Sequence, residues 1–482
     1  MAVSVSMPSD NKPQAPNRGP IGALSRVVTD VLAQILTLRK WLRYGLHLKR
    51  WLAVSLLGIL ILVAGVDLML LLQLAELGDT LDALMYQAFG IGFRDPSPLR
   101  ALSYQLSIGL PLSVLGLLVF LYGLRNTLTS LTSAVLPAAE EPIVDVIWRR
   151  RQLTQGARIV VIGGGTGLST MLRGLKEYTS NITAIVTVTD DGGSSGRLQR
   201  EFNMLPPGDI RNCLVALADA EPLMQDLFQY RFQDPSGGGE SSGLSGHSFG
   251  NLLIAAMLGI TGDFEDAVRE TSRVLAIRGR VLPSTTSHVK LVAIMDDGTE
   301  VVGETSITAH GGRVKSMRLS DPTAEPLEET LQAIRTADAI IIGPGSVYTS
   351  VVPNFLVQRV ADEVAGSPAL RVYVCNVMTQ PGETTGFSAS DHVKALHEQA
   401  GRRVCDYALI NVVEPSAEVR SRYDQVGSHW VLPDVEKVRA LGVRPIPGDY
   451  IAEGNVVRHD PKKLAARITQ LIARRDHSIL GF

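Results

Sequence analysis

Apolar residues fall along the chain in three patterns, and each predicts a different kind of structure. From Trp51 to Leu74 they are almost continuous, interrupted by Asp67 and Gln73, and Leu106 to Leu124 is apolar without a charge. Both runs are long enough to cross a bilayer. The first is not a signal peptide, because a long polar and basic region precedes it and no small-residue cleavage site follows. Between Leu24 and His47, Val28, Leu32, Ile35, Leu36 and Leu42 recur at helical spacing, while Arg39, Lys40, Arg43, Lys49 and Arg50 gather toward the end. That reads as an amphipathic helix on an anionic membrane surface, with a soluble partner-binding helix as the alternative. Met1 to Pro20, rich in Ser, Pro, Asn and Asp, has little to bury and is expected to be disordered.

From Arg158 onward the pattern changes to short β-branched runs alternating with stretches of helical period. Arg158 to Ile162, Ile182 to Val188, Ala339 to Ile342, Arg371 to Val377 and Asp406 to Val413 read as buried strands. Leu168 to Tyr178, Asp209 to Leu217, Leu252 to Leu258, Glu328 to Thr336, a stretch starting near Asp391 and Lys462 to Ala473 read as helices. His288 to Met295 and Glu300 to Ile307 alternate around Asp296, Asp297 and Gly298, a hairpin signal, with Arg313 to Leu319 as a third strand. This alternation predicts an α/β fold, a three-layer Rossmann-like domain with a mainly parallel sheet. The organisation expected is a disordered and basic region over 1–50, a transmembrane hairpin over 51–124, a linker over 125–156 and the α/β domain over 157–482. The linker carries Pro137, Pro142 and the basic triplet Arg149, Arg150 and Arg151, which suits lipid headgroups.

Charge orients the hairpin. Five basic residues precede the first span and Arg125 follows the second, whereas the segment between holds Arg94 and Arg100 against Glu76, Asp79, Asp82 and Asp95. The positive-inside rule then places the soluble domain and both termini in the cytoplasm, in a protein crossing the cell membrane twice. Asp67 inside a span marks a functional position or one facing the partner helix. Composition adds two exclusions. A formal charge of -2 over 482 residues argues against nucleic acid as a partner, and three distant cysteines within apolar runs suggest neither a disulfide framework nor a zinc site.

The candidate chemistry sits at strand ends. Gly163, Gly164, Gly165, Thr166 and Gly167 lead from the first strand into a helix, whose unpaired N–H groups and dipole favour an anion. The spacing misses the dinucleotide fingerprint and no Lys-Ser or Lys-Thr pair follows, so NAD and a P-loop are both disfavoured and no redox cofactor is expected. The second strand ends in Thr189, Asp190, Asp191, Gly192, Gly193, Ser194, Ser195 and Gly196, followed by Arg197. Two carboxylates, two hydroxyls and a guanidinium there suit ribose, phosphates or a phosphate-held Mg²⁺, with an Asx-capped turn as the plain alternative. Asp209 reads as the N-cap of the next helix, with Asn212 in its first turn. Gly246, Ser248 and Gly250 match the spacing of a nucleophile elbow, but no buried strand precedes them, so Ser248 and Asn251 are better read as an anion or ribose contact or as capping. Gly343, Gly345 and Ser346 repeat the strand-then-glycine arrangement.

These segments resemble the gluconeogenesis factor (YvcK) family, within the superfamily of the 2-phospho-L-lactate transferases (CofD-like). The resemblance covers Ala157 to Ala473 and rests on a series in order: IGGGTGLS, TDDGGSSGRL, PPGDIRN, SGHSFGNL, LPSTTSHVKLVA, IGPGSVYTSVVPN, NVMTQPGETTGFSASDHV and VVRHD. It implies a regulator that binds a UDP-sugar, UDP-N-acetylglucosamine above all, and ties carbon flux to cell-wall synthesis and cell shape. By position, Tyr423 and Arg458 correspond to the family's tyrosine and arginine contacts to that ligand, and the place of PPGDIRN in the series implies that Asn212 faces the ligand as well. It further implies a homo-oligomer with protein partners in cell-wall or carbon metabolism and no required cofactor. The alternative is a Mg²⁺-dependent phosphotransferase like the phospholactate transferases, with Asp190 and Asp191 on the metal. A serine hydrolase acting through Ser248 is a third, less supported, reading.

Overall fold

The computed structural model describes residues 48–71, 83–84, 86–88, 105–135, 143–219, 222–233, 243–454 and 456–479. The disordered and amphipathic segments expected before residue 48, and Pro137 and Pro142, lie outside them. The chain divides into two compact units, 1–147 and 148–482.

In the first unit two long apolar helices, α1 (Leu48–Leu71) and α2 (Leu110–Val135), pack along each other. Windows of 21 and 24 residues within them, Lys49–Met69 and Ser107–Ser130, are long and apolar enough to cross a membrane. Small residues set their separation: Gly58 lies against the Phe120 backbone, Gly65 against Ser113, Gly116 against the Leu62 backbone and Gly123 against Ser55. Close backbone approach of this kind is how helices associate where lipid removes the hydrophobic drive. Trp51 and Tyr122 meet edge to face with ring centroids 5.7 Å apart. Asp67 is exposed on α1 and not turned toward α2. The helix α2 runs into the segment expected as linker, and Ile143–Thr154 forms a further helix there.

The second unit carries the strands. In chain order they are β1 (Ile159–Gly163), β2 (Ile182–Val186), β3 (Arg280–Pro283), β4 (Leu291–Met295), β5 (Glu300–Val302), β6 (Val314–Leu319), β7 (Ala339–Ile342), β8 (Leu370–Val374), β9 (Tyr407–Asn411), β10 (Arg444–Gly448), β11 (Ile451–Glu453) and β12 (Val457–His459). Seven form one sheet in the order β10-β9-β8-β7-β1-β2-β3, and every pairing in it is parallel. Its inner strands are buried along their length, as the continuous β-branched runs require when helices cover both faces. The excursion forms a separate antiparallel sheet, β5-β4-β6, but the residues around Ile307 turn into a helix and do not extend β5. Glycine at 303, with φ near +98°, makes that turn.

The two edge strands escaped the sequence pattern because both contain proline. Pro283 ends β3, and Pro445 and Pro447 lie within β10. On β10 the Arg444 N–H donates inward to Asp406 O, and next to β3 the Ser284 N–H donates inward to Val186 O. Alternation along a strand therefore turns all three prolines outward, where no ladder bond is lost.

Chain order also locates the cleft. From β1 the chain moves through β2 to β3 on one side, and after the excursion it restarts at β7 on the other side of β1 and continues outward to β10. The carboxyl ends of β1 and β7 are thus the switch point, where open α/β sheets hold ligands.

Candidate functional site

The loops after β1 and β7 meet at this point. Helix α3 (Gly165–Leu175) begins directly on the first loop, and a side chain on Gly167 would meet the backbone of Pro344 within 2.8 Å. Gly345 faces the carbonyl of Gly164, where a Cβ would lie 3.3 Å away. Gly163 is the last residue of β1, Gly164 is extended, and Gly165 takes the left-handed conformation at φ 67°. Thr166 is exposed in the first turn of α3. Gly343, also left-handed, follows β7, and the Gly345 N–H donates to Asn376 Oδ1 at 3.3 Å.

Asp209 does not cap its own helix, α5 (after α4, Gly193–Phe202; α5 spans Gly208–Leu217). Pro207 is the N-cap and no side chain caps it. Asp209 Oδ2 instead accepts the Gly165 N–H at 2.6 Å, across the sheet edge. Burial, followed by the charge of Asp190, pushes its carboxyl up to about 6, although the Gly165 bond pulls the other way. Asp190 Oδ1 accepts the Gly192 N–H at 2.9 Å, while its second oxygen lies beside Gly208.

Asp190 and Asp191 separate. Asp191 Oδ1 accepts the backbone N–H of Thr305 at 3.0 Å and its hydroxyl at 2.7 Å, at the start of the helix Glu304–His310. The carboxylates that share the cleft with Asp190 are Asp209 and Glu304. Burial and then the charge of Asp190 raise Glu304 to about 9. Among the described residues no three His, Cys, Asp or Glu side chains are grouped to hold a metal ion. A Mg²⁺ carried in by phosphates needs only one or two carboxylates, and Asp190 with Asp209 fits that role better than Asp190 with Asp191.

Helix α4 starts on the second glycine loop with Gly192 as N-cap and no side-chain cap. Ser194 at its first turn is 5% exposed, and Ser195 is 4% exposed against Gly208. Ser194 Oγ lies 2.8 Å from His247 Nδ1 and accepts from Asn251 Nδ2 at 3.1 Å. Arg197 Nη2 donates to Ser245 O at 2.6 Å. Arg211 ties the network together: it donates to Ser248 Oγ, to Asn251 Oδ1 at 3.1 Å and to Asn212 Oδ1 at 2.7 Å. Its stem crosses Gly250, where any side chain would collide with Cδ, and its buried Nε–H has no acceptor among the described residues. Ser248 caps α6 (Phe249–Thr261), accepting the Asn251 N–H. The segment before it forms turns, with one isolated bridge to Arg231, so the strained strand-to-helix turn of a hydrolase elbow is not built here.

On the β7 side, Ser346 donates to Glu383, which is 1% exposed. Burial pushes this carboxyl up, and the hydroxyls of Ser346, Thr349 and Thr308 pull it back. Glu383, Glu304 and Arg211 were missed as site residues by pattern alone; Glu383 stood inside the quoted PGETT loop, which reads locally as polar and solvated.

Tyr423, on the helix Ala417–Asp424, meets the small antiparallel pair β11-β12 one residue before Arg458 on β12. The Tyr423 hydroxyl accepts the Val457 N–H at 3.2 Å, next to Arg458. Its half-buried ring packs against Val377, Val419, Ile451 and Val457. The tyrosine is therefore part of a small core, whereas Arg458 is exposed. Strand β12 packs on α3, the helix that starts at the first glycine loop.

Comparison with known proteins extends these observations. Residues 159–451 match the family model for the 2-phospho-L-lactate transferase CofD. A Bacillus subtilis protein named gluconeogenesis factor is 49% identical over 319 residues, covering 66% of this chain and 99% of its own. A Nostoc sp. protein that bears the same name provisionally is 48% identical over 430 residues, covering 88% of this chain and 91% of its own. The crystal structure of a UPF0052-family protein from Bacillus halodurans superposes with a TM-score of 0.62 at 48% identity, covering 65% of this chain and 98% of that one. With the same sheet, the same ordered motifs and this level of identity, the chain belongs to the gluconeogenesis factor (YvcK, UPF0052) family, within the CofD-like superfamily.

Proposed function

We propose that the protein is a membrane-tethered cytoplasmic regulator that binds a UDP-sugar, UDP-N-acetylglucosamine first among them, and ties central carbon flux to cell-wall synthesis and cell shape. The observation that carries the ligand class is the meeting of two glycine loops at the switch point. Beside them stand an uncapped α4 N-terminus and a buried arginine whose Nε–H lacks an acceptor among the described residues. Such a cleft suits a diphosphate flanked by groups rich in hydroxyls. Arg458, on a strand packed against α3, would reach the far end of the ligand. The two apolar helices act as the tether, both termini stay in the cytoplasm, and the working form is a homo-oligomer with protein partners in cell-wall or carbon metabolism. Nucleic acid is not a partner, and no cofactor is required.

Titrating the full chain in nanodiscs with UDP-N-acetylglucosamine, UDP-glucose, GDP and NAD, with and without Mg²⁺, tests this reading. Saturable heat with the UDP-sugars alone is expected, and tighter binding of GDP or NAD would overturn it. The match to a phospholactate transferase model supports a second reading, Mg²⁺-dependent phosphoryl transfer with Asp190 and Asp209 facing the phosphates. Release of a nucleoside monophosphate on adding an acceptor hydroxy acid would favour it.

A further inference from the structure

Although the loops after β1 and β7 meet, they offer opposite chemistry. On the β7 side Glu383 is enclosed by four donors: Ser346 Oγ, Gln380 Nε2 at 2.7 Å, Thr349 Oγ1 at 3.1 Å and Thr308 Oγ1 at 3.3 Å. An amide nitrogen can only donate, and each of three hydroxyls has a proton to give, so once Glu383 is ionised, against the burial that raises it, four donors are at hand to hold the anion. A serine hydroxyl has a single proton. With it committed to Glu383, half-buried Ser346 has only lone pairs left for a ligand.

A further feature makes this loop a poor phosphate cradle. The Gly345 N–H is already taken by Asn376 Oδ1 at 3.3 Å, so one of the backbone donors the turn could offer is spent before the π turn Val347–Val351 and the helix Val352–Leu356 begin. A phosphate here would face a buried negative charge with few donors to offset it. The β2 side differs in charge, since the uncapped N-terminus of α4 is joined to the buried Arg211 through Asn251, which accepts from Arg211 and donates to Ser194.

We propose that the Gly343–Ser346 loop receives a hydroxyl or N–H donor of the ligand, a ribose or hexose polyol edge and not a phosphate, and that Glu383 is the positioning residue that makes Ser346 an acceptor. This rests on the nucleotide-sugar reading above and assigns its subsites: diphosphate toward β1 and β2, polyol toward β7.

The test titrates the full chain in nanodiscs at about pH 8, above the ordinary carboxylate range, with UDP-N-acetylglucosamine and UDP. Pyrophosphate is measured as a millimolar competitor. The variants are Ser346→Ala, Glu383→Gln and, as a structural control, Thr349→Val, which removes a buried donor to Glu383 without altering the loop's exposed oxygen. Ser346→Ala should bind UDP-N-acetylglucosamine about threefold to tenfold more weakly, the loss of one neutral hydrogen bond, with pyrophosphate competition unchanged. Glu383→Gln should show the same selective loss, and Thr349→Val should lower Tm while keeping affinity within about twofold. An equal loss for UDP assigns the loop to ribose, and a loss confined to the nucleotide sugar assigns it to the hexose. Equal weakening of pyrophosphate by Ser346→Ala, unchanged binding of every ligand, or a matching loss in Thr349→Val would overturn the proposal. A parent protein that binds neither nucleotide would sink the nucleotide-sugar reading itself.

Discussion

Single residues show where local reasoning works and where it stops. Capping was an adequate local account of Asp209, yet its carboxylate spans 44 positions to reach the Gly165 N–H, a contact no sequence window contains. Ser248, by contrast, does cap its helix as a Ser-x-x-Asn pattern suggests. The expectation for Tyr423 changes with its surroundings. Because its ring belongs to a small core and its hydroxyl accepts from Val457, Tyr423→Ala should lower Tm as well as affinity, which separates it from Arg458. Tyr423→Phe should cost about 1 kcal/mol in chemical denaturation through the lost hydrogen bond. Arg458→Ala, at an exposed position, should leave Tm within a few degrees and weaken UDP-N-acetylglucosamine about tenfold to hundredfold by calorimetry, the range for a lost charge-assisted bond. Titration supplies another prediction. The folded state raises Asp209 from 3.8 to about 6 and Glu304 from 4.5 to about 9, so it favours their protonated forms. The stability this contributes is complete below the unfolded values and is lost as pH rises, first through Asp209 and then through Glu304. Melting curves of the parent should therefore shift down as pH rises from about 4 to about 9, through both groups up to about pH 6 and through Glu304 alone above it, and Glu304→Gln should flatten the slope above about pH 6.

At the scale of elements, period and flanking residues located most of what forms. Glu328–Thr336 and Ala339–Ile342 coincide with the expected helix and strand, because an acidic first turn and an unbroken β-branched run leave no competing reading. The edge strands and β11-β12 were not legible: proline masks the first two, and three-residue strands carry too little pattern to stand out. The apolar helices were visible by composition alone, but their packing was not, since it depends on glycines seven apart, Gly58 and Gly65 on α1 and, facing them, Gly109 at the end of the π turn before α2 with Gly116 and Gly123 on α2. Gly116→Leu drives a side chain into the Leu62 backbone and should splay the pair. In bicelles the variant is expected to lose a protease-resistant fragment containing both helices at a lower temperature than the parent, while Leu118→Ala on an exposed face leaves it unchanged.

For the whole molecule, alternation of strand and helix announced a parallel sheet, but which side of β1 each later strand joins is not written in any local segment. The jump from β3 across to β7, which creates the cleft, became readable only in three dimensions. Orientation in the membrane is a prediction at this scale. The three native cysteines are buried, and burial holds each thiol above its ordinary range, so they should resist alkylation. A single added thiol, Phe482→Cys, should then react with a membrane-impermeant maleimide only after cells are permeabilised; labelling of intact spheroplasts would reverse the topology. The outward prolines bear on what crowding at a membrane would do. An unprotected parallel edge offers a free row of N–H and C=O groups to any neighbouring chain, and confinement to a surface raises the rate of such encounters. With Pro283 closing one end of the sheet and Pro445 and Pro447 the other, strand addition from a neighbour meets missing donors on both sides. Copies of the protein can therefore gather without polymerising through the edges of the seven-stranded sheet, and an ordered assembly has to be made through other surfaces.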